Sequence, residues 1–237
     1  MPDNSQVAVI TGASSGIGET TAKLLAQNNI TVLLGARSTE KMDIIVRQIN
    51  KTGGNAKSYY LDLNDDSSIH AFINEINQTY TVTTLINNSG FGKFDKIENA
   101  STEEWDKMMN VNLRGAFILC KAFIPSMKKM KKGNLVFINS VAGKHGYPFS
   151  AGYVASKFGM RGLAESLRNE LRTDGIKVSS IYPGAVDSDF WENVNVDFPR
   201  ADMISPKEVA EAILFAINQQ GTAVLEDIVI RRVEGDF

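Results

Sequence analysis

The chain has 237 residues, of which 43% are hydrophobic and 22% are charged, a balance that excludes a disordered protein. Its formal net charge of -2 and its scattered basic residues argue against a nucleic-acid partner. The length fits one large α/β domain over residues 1–237, with no need of disulfides or metals to stabilise the core. The basic residues cluster only at Lys128, Lys129, Lys131 and Lys132, which we interpret as complementing the C-terminal dipole of a helix.

The chain carries a single cysteine, Cys120, which excludes an intrachain disulfide and is typical of a reducing compartment. The apolar residues just before it favour a buried structural thiol over a nucleophile. Residues 1–6 lack the pattern of a signal peptide, and no run of about 18 apolar residues occurs. We therefore expect a soluble, cytoplasmic protein with no membrane partner.

The first predicted strand, Val7 to Ile10, leads into the sequence TGASSGIG and then into a segment with helical apolar spacing. Gly12, Gly16 and Gly18 allow a tight turn, close approach of phosphates to the backbone, and close packing of helix on strand. The helix would direct free N–H groups and its positive dipole end at a dinucleotide pyrophosphate. The glycine spacing departs from the common G-x-G-x-x-G, so this turn alone also fits an ordinary glycine-rich loop.

Further along the chain, short apolar runs alternate with amphipathic segments. The later predicted strands cover residues 31–34, 56–61, 84–86, 135–138, 177–182 and 228–230. A long helix is predicted over 102–132 with a bend near Pro125, and others over 151–173 and from Pro206 to about 216. This alternation predicts a single Rossmann-type, doubly wound parallel sheet of about seven strands with helices on both faces.

Ligands of such sheets bind beyond the carboxyl ends of the strands, so residues at those ends share one edge of the molecule. The strand-end residues are Gly12, Ala36, Asp62, Asn88, Ser140 and Gly184. The sequence therefore predicts one ligand site along this edge.

Tyr153 and Lys157 are four residues apart on a predicted helix and so share one face. A free tyrosine has a pKa of about 10, and a lysine cation one turn away should lower that pKa toward the range useful for acid–base catalysis. Ser140, at a strand end, is placed to hold a substrate oxygen, and Asn112, inside a helix, to bridge a water to the lysine. Each residue taken alone also fits a purely structural role.

Together these segments resemble the short-chain dehydrogenase/reductase superfamily from about Gln6 to Ile230. The matching signals are TGASSGIG, Asp62, NNSG at 87–90, Asn112, Ser140, YVASK at 153–157 and PG at 183–184. The resemblance implies an oxidoreductase that transfers a hydride between a nicotinamide and a carbonyl or alcohol carbon. In that reading Tyr153 is the acid–base residue, assisted by Lys157, while Ser140 orients the carbonyl and Asn112 completes a water relay. Serines replace the family's usual alanine at Ser89 and threonine at Ser188, and both keep the size or the hydroxyl.

The resemblance also implies the residues that bind the cofactor. These are Gly12, Ser14, Ser15, Gly16, Ile17, Gly18, Asp62, Leu63, Asn88, Gly90, Tyr153, Lys157, Pro183, Gly184, Val186 and Ser188. The family's acidic NAD-selecting position is Ala36 here, and Arg37 next to it offers a planar donor for a 2'-phosphate, with Ser38 as a second contact. We therefore predict NADP(H). Because Ser15 adds no second basic group, a solvated loop role for Arg37 stays open.

The predicted substrate pocket lies under a lid from Asp187 to Ile204. Phe190 and Trp191 are candidates for its apolar wall or for anchors of the lid, and His145 for a lining residue or a plain loop residue. The segments PGAVDSDF and EDIVIRR resemble the NADP-dependent 3-hydroxy acid and serine-type dehydrogenases. That branch implies small hydroxy acids, with Arg200 or His145 as carboxylate partner. No metal site is expected from two scattered histidines.

The sequence is also compatible with two other functions. A 3-oxoacyl-[acyl-carrier-protein] reductase needs a basic surface near the pocket, for which Lys93, Lys96 and Lys144 are candidates. A non-catalytic NADP(H)-sensing regulator would have no need of the serine, tyrosine and lysine described above. The resemblance further implies a homodimer or homotetramer, and small residues on the helix from residue 151 permit close helix packing.

Overall fold

Seven parallel strands form one sheet in the computed structural model, which describes residues 6–193 and 199–235. The strands are β1 Val7–Thr11, β2 Thr31–Ala36, β3 Ala56–Tyr60, β4 Thr84–Asn87, β5 Gly133–Ile138, β6 Ile176–Pro183 and β7 Asp227–Ile230. Their order is β3-β2-β1-β4-β5-β6-β7. The direction of winding reverses between β1 and β4, where a crevice opens beyond the strand ends. The predicted doubly wound sheet is confirmed.

Helices cover both faces of this sheet and enclose two hydrophobic cores. The helices are α1 Gly16–Gln27, α2 Thr39–Lys51, α3 Asp66–Thr79, α4 Thr102–Met109, α5 Gly115–Met130, α6 Ala151–Leu171 and α7 Pro206–Ile217. Side chains alternate between the faces of a strand, so Leu33 lies in the same core as Phe72 of α3, and Leu34 in the same core as Met42 of α2. Both faces of the sheet are therefore buried, and the open edge at the strand ends is left for a ligand.

The long helix predicted over 102–132 is interrupted, but at Asn110–Arg114 rather than near Pro125, where a bend was predicted. Pro125 lies inside α5, which continues to Met130. The irregular turn is a π-helical segment, Asn110–Arg114, between α4 and α5. A π turn widens the helix by one residue, and here it accommodates the buried side chain of Asn112.

Cys120 takes the structural role predicted for it, and two lysines of the cluster, Lys128 and Lys129, lie in the last turn of α5. Cys120 is buried, and desolvation raises the pKa of its thiol to about 12, which suppresses the thiolate. At the end of α5, Lys128 Nζ lies 3.0 Å from Asp174 and 3.7 Å from Glu170. Within the described ranges, no helix combines the length and the apolar character that a membrane crossing requires.

Candidate active site

A cleft of about 1490 Å³ lies at the carboxyl ends of the strands. The predicted site residues that line it are Gly12, Ser14, Ser15, Gly16, Ile17, Arg37, Ser38, Asp62, Leu63, Asn88, Gly90, Ser140, Tyr153, Lys157, Pro183, Gly184, Val186, Ser188, Phe190 and Trp191. Gly18, Asn112 and His145 do not belong to the lining. The strand ends thus gather most of the predicted site residues around one space.

The glycine turn after β1 packs so closely that its glycines cannot carry side chains. Gly12 has a positive φ of 64°, which favours glycine. A Cβ on Gly18 would lie 2.3 Å from the Gly12 carbonyl oxygen and 2.7 Å from Asn88 Nδ2. The Asn88 amide donates to the carbonyls of Thr11 at 2.9 Å and Gly12 at 3.2 Å. Gly18 therefore serves packing of α1 against the turn rather than direct contact with a ligand.

Replacing Gly18 by alanine should lower the free energy of unfolding by about 1–3 kcal/mol, because the new methyl overlaps backbone atoms of the turn. Chemical denaturation measures this loss. Gly146→Ala is the matched control, since a Cβ there meets nothing within 4 Å. Equal stability of the two variants would contradict the packing role of Gly18.

Ser140, Tyr153 and Lys157 meet at the end of the cleft farther along the sheet. Ser140 follows β5, and its Oγ accepts a hydrogen bond of 3.1 Å from the Ala142 N–H, which fixes the loop. One turn of α6 separates the half-buried Tyr153 from the buried Lys157. Lys157 Nζ lies 5.7 Å from the centroid of the Tyr153 ring and donates a 2.9 Å hydrogen bond to the Ile138 carbonyl.

The two titratable groups have strongly perturbed pKa values. Burial raises the pKa of Tyr153 to about 12, although a hydrogen bond with Ser140 acts in the opposite direction. Burial lowers the pKa of Lys157 to about 8. The expectation that Lys157 lowers the pKa of Tyr153 is wrong for this structure, because desolvation of the phenol dominates. Tyr153 is therefore protonated at neutral pH and able to act as an acid.

The buried side chain of Asn112 links the β4–α4 loop to α6 through hydrogen bonds. Its Oδ1 accepts a 3.0 Å hydrogen bond from the Phe91 N–H, and its Nδ2 donates to the Phe91 carbonyl and to Ser156 Oγ, both at 2.9 Å. A Cβ on Gly90 would lie 3.3 Å from Asn112 Oδ1 and 3.4 Å from Lys157 Nζ. Asn112 thus lies close to the lysine with its amide engaged at both ends, and its part in a water relay stays a prediction.

Near the glycine turn, the lining of the cleft suits a phosphorylated ribose. Ala36 ends β2 as a small buried residue, and the exposed Arg37 follows it. Ser38 precedes α2, and its hydroxyl makes no capping hydrogen bond there. The Asp62 carboxylate accepts a 2.9 Å hydrogen bond from the Asn64 N–H in a local turn. The only charged side chain in 36–38 is thus a cation, which favours a 2'-phosphate over a bare 2'-hydroxyl.

Aromatic rings surround Tyr153 at the other end of the cleft. The ring centroid of Tyr153 lies 5.6 Å from that of Phe94 and 5.6 Å from that of Phe190. Trp191 packs on Phe190 at 5.2 Å, and its Nε1 donates a 2.9 Å hydrogen bond to the Val186 carbonyl. Phe190 therefore forms part of the apolar wall of the cleft. Trp191 packs on it and also fixes the start of the predicted lid through its hydrogen bond to Val186. No sequence pattern indicates Phe94, because it lies in a loop without apolar periodicity.

The candidate carboxylate partners lie elsewhere. His145 is exposed and outside the lining, because the chain turns toward solvent after the short helical turn Val141–Gly143. Arg200 pairs with Asp187 at 2.6 Å on the surface, and Lys144 pairs with Asp227 at 2.8 Å. The position of His145 contradicts its assignment to the substrate pocket. Residues 194–198 of the predicted lid lie outside the described residues.

No metal centre is apparent in the part of the chain that the structure describes. Within residues 6–193 and 199–235, no group of three or more histidine, cysteine, aspartate or glutamate side chains is arranged to hold an ion. The chemistry that the site itself offers is hydrogen bonding and proton donation by Ser140, Tyr153 and Lys157.

Comparison with known proteins identifies several relatives that span nearly the whole chain. The 3-oxoacyl-[acyl-carrier-protein] reductase of Thermotoga maritima is 31% identical over 233 residues, covering 94% of this chain and 95% of the relative. The sepiapterin reductase of Chlorobaculum tepidum is 30% identical over 239 residues, covering 98% of each.

Solved structures agree with these relatives in fold. An alcohol dehydrogenase from the archaeon Thermococcus sibiricus, complexed with 5-hydroxy-NADP, superposes with a TM-score of 0.89 at 30% identity, over 97% of both chains. A metagenomic short-chain oxidoreductase in complex with NADP gives a TM-score of 0.85 at 32% identity, over 96% of this chain and 97% of the other. The sequence model described as short chain dehydrogenase matches residues 6–198. The chain therefore belongs to the short-chain dehydrogenase family of oxidoreductases.

Proposed function

We propose that this protein is an NADP(H)-dependent oxidoreductase that moves a hydride between the nicotinamide and a small carbonyl or alcohol substrate. The observation that carries the proposal is one cleft with a phosphate-accepting turn and Arg37 at one end and Ser140, Tyr153 and Lys157 at the other. The similar structures that hold NADP or an NADP derivative support the choice of cofactor.

Ser140, Tyr153 and Lys157 have different roles in carbonyl reduction. NADPH, when bound, supplies the hydride that is added to the carbonyl carbon. The Ser140 hydroxyl holds the carbonyl oxygen next to the phenol. Tyr153 donates its hydroxyl proton to that oxygen, and the cation of Lys157 stabilises the phenolate that remains. In the reverse direction the Tyr153 phenolate takes the proton of the alcohol.

The test is NADPH oxidation, followed at 340 nm, with purified protein and a panel of aldehydes, ketones, 3-oxo acids and acyl thioesters. The reverse assay uses NADP+ with the corresponding alcohols and hydroxy acids. Turnover of any member supports the proposal. Absence of turnover across the panel, with NADPH still bound, would instead favour a non-catalytic NADP(H)-sensing regulator.

The two directions should differ in pH dependence. Lys157 loses its charge as the pH rises through about 8, so kcat/KM for carbonyl reduction should fall on the alkaline side. We expect a decrease of about tenfold between roughly pH 7 and pH 9.5, since the neutral lysine no longer stabilises the phenolate. Tyr153, with a pKa of about 12, stays protonated over this range. Alcohol oxidation needs the phenolate together with the Lys157 cation, so its kcat/KM should rise with pH up to about 8 and level off above it.

Initial rates in both directions give the two pH profiles. Lys157→Met serves as the control, because it removes the group that titrates near pH 8 while leaving the tyrosine in place. The same alkaline decrease in this variant would contradict the assignment to Lys157.

A second candidate is a 3-oxoacyl-[acyl-carrier-protein] reductase, favoured by the Thermotoga maritima relative. Lys93 and Lys96 line the cleft and are exposed, as an acidic carrier protein would require, whereas Lys144 is paired with Asp227. Higher kcat/KM for an acyl thioester than for the free ketone would favour this candidate.

We also propose that the chain forms a homodimer or homotetramer, as the family resemblance implies. The outer faces of α5 and α6 support this assembly. Phe117 and Phe158 are exposed there, and the neighbouring Gly162 has open space around it.

A further inference from the structure

Four aromatic side chains form a continuous aromatic wall beside the tyrosine hydroxyl: Phe94, Tyr153, Phe190 and Trp191. They come from three separate segments, namely the β4–α4 loop, α6 and the short 3₁₀ helix Asp189–Asn193 after β6. Phe94, Tyr153 and Phe190 all contact one another, since the Phe94 and Phe190 centroids are also only 6.3 Å apart. All four side chains line the cleft. A substrate that binds beside the Tyr153 ring on this side of the cleft therefore lies next to this wall.

The backbone is shaped to hold these rings together. A Cβ on Gly92 would lie 2.8 Å from Phe94 Cζ and 3.0 Å from Phe190 Cζ, so a larger residue there would displace the two rings from their present positions. The Asp95 N–H donates a 2.9 Å hydrogen bond to the Phe149 carbonyl, which joins the loop of Phe94 to the loop before α6. Phe149 lines the cleft as well, with its side chain largely exposed. The lining of the cleft thus includes a further aromatic side chain, on a loop that is tied to the loop of Phe94.

Most of the cations that line the cleft are exposed to solvent or engaged with other groups rather than buried with the aromatic wall. Apart from Lys157, the cations that line the cleft among the described residues are Arg37, Lys93, Lys96, Lys107 and Arg232. Arg37 lies at the glycine-turn end, and Lys93 and Lys96 are exposed to solvent. Lys107 Nζ lies 5.2 Å from the Phe91 ring centroid, and Arg232 pairs with Glu234 at 2.8 Å. A carboxylate packed against the rings themselves would lose hydration there, whereas an aromatic group would not.

We propose that the substrates of this site are carbonyl compounds with an aromatic group next to the reacting C=O, and that Phe94 is a specificity-determining residue for them. The inference rests on the proposed function and deepens it. A flat ring packs edge-on or offset against the aromatic wall, which adds attraction beyond simple burial and excludes water from the tyrosine hydroxyl. Phe94 makes this selection because it is the loop-borne ring in contact with both Tyr153 and Phe190.

The experiment compares matched substrates with NADPH as cofactor. The probes are 1-phenylpropane-1,2-dione and butane-2,3-dione, which share the reacting diketone, together with 3-oxobutanoate as a small oxo acid. We expect the wild-type kcat/KM for the phenyl diketone to exceed that for either other probe by about tenfold or more. Phe94→Leu, which keeps the apolar volume but removes the flat ring, should reduce this ratio by about threefold to tenfold.

Two further variants make the test specific. Phe190→Leu should lower the same ratio, and it serves if Phe94→Leu fails to fold. Phe215→Leu is the control, because Phe215 is exposed on α7 outside the cleft lining, and its ratio should equal that of wild type. NADPH affinity, measured by fluorescence titration, should be the same in all variants.

The outcomes distinguish failure of the aromatic preference, failure of the role of Phe94 and failure of the proposed oxidoreductase function. Equal kcat/KM for the two diketones, or a higher value for 3-oxobutanoate, would overturn the aromatic preference and leave the proposed oxidoreductase function intact. An unchanged ratio in folded Phe94→Leu would overturn the role of Phe94. Absence of turnover with all three probes and with the wider panel would overturn the proposed function and this inference together.

Discussion

Replacing Tyr153 by phenylalanine should reduce the turnover number for carbonyl reduction by about 10²–10⁴-fold, because the change removes the proton donor. The ring itself remains in contact with Phe94 and Phe190, so the shape of the cleft is retained. NADPH affinity should stay within about twofold of wild type, since the glycine turn and Arg37 lie at the other end of the cleft. We therefore expect the variant to lose turnover and to keep its affinity for NADPH.

Turnover is measured by NADPH oxidation, and binding by the change in NADPH fluorescence. Tyr60→Phe is a matched control, because Tyr60 is an exposed residue of the edge strand β3 and lies outside the cleft lining. This control should retain full activity. A Tyr153→Phe variant that keeps most of its turnover would show that another group donates the proton.

Replacing Arg37 by aspartate should lower the preference for NADPH over NADH by about 100-fold or more. A hydrogen bond to a charged group contributes about 1.5–3 kcal/mol, and the new carboxylate also repels the 2'-phosphate. At the same position an aspartate accepts hydrogen bonds from the ribose hydroxyls of NADH, which improves the other cofactor. Ala36 before it is buried and carries no charge, so it offers no compensating interaction.

The measurement is the ratio of kcat/KM for the two cofactors with one carbonyl substrate. Arg47→Asp is the control, because it makes the same change in net charge at an exposed position of α2 outside the cleft lining. Its cofactor preference should be that of wild type. An equal preference in the Arg37→Asp and wild-type proteins would contradict the assignment of NADP(H).

The strands and their shared edge could be predicted from the sequence because both signals are local. A buried parallel strand needs a short, continuous apolar run such as Val7–Thr11, and the topology then brings every strand end to one side. Ser140, which follows β5, could be placed at that edge on this basis, whereas Lys157 lies within α6 and was assigned to the site through its spacing from Tyr153 and the family resemblance. The resemblance of several motifs to one family supplied their roles.

Features that depend on three-dimensional contacts could not be predicted in this way. The pKa of Tyr153 depends on desolvation by surrounding side chains, and an i,i+4 spacing from Lys157 contains no information about it. The sequence offers Arg200 as a partner for a substrate carboxylate, but it does not indicate that Arg200 forms an ion pair with Asp187. Phe94 reaches the tyrosine through the path of a loop, for which sequence periodicity gives no indication.

The π-helical segment Asn110–Arg114 constrains the length of the chain as well as its shape. An α-helix turns by about 100° per residue, so a single-residue deletion within this segment would rotate α4 by that angle relative to α5. Met108, which lies against Gly152 at the start of α6, would then point away from it. A substitution in this segment changes individual contacts, whereas an insertion or deletion rotates the whole of α4 about its axis. Homologues with one residue more or fewer here must pack α4 with a different face.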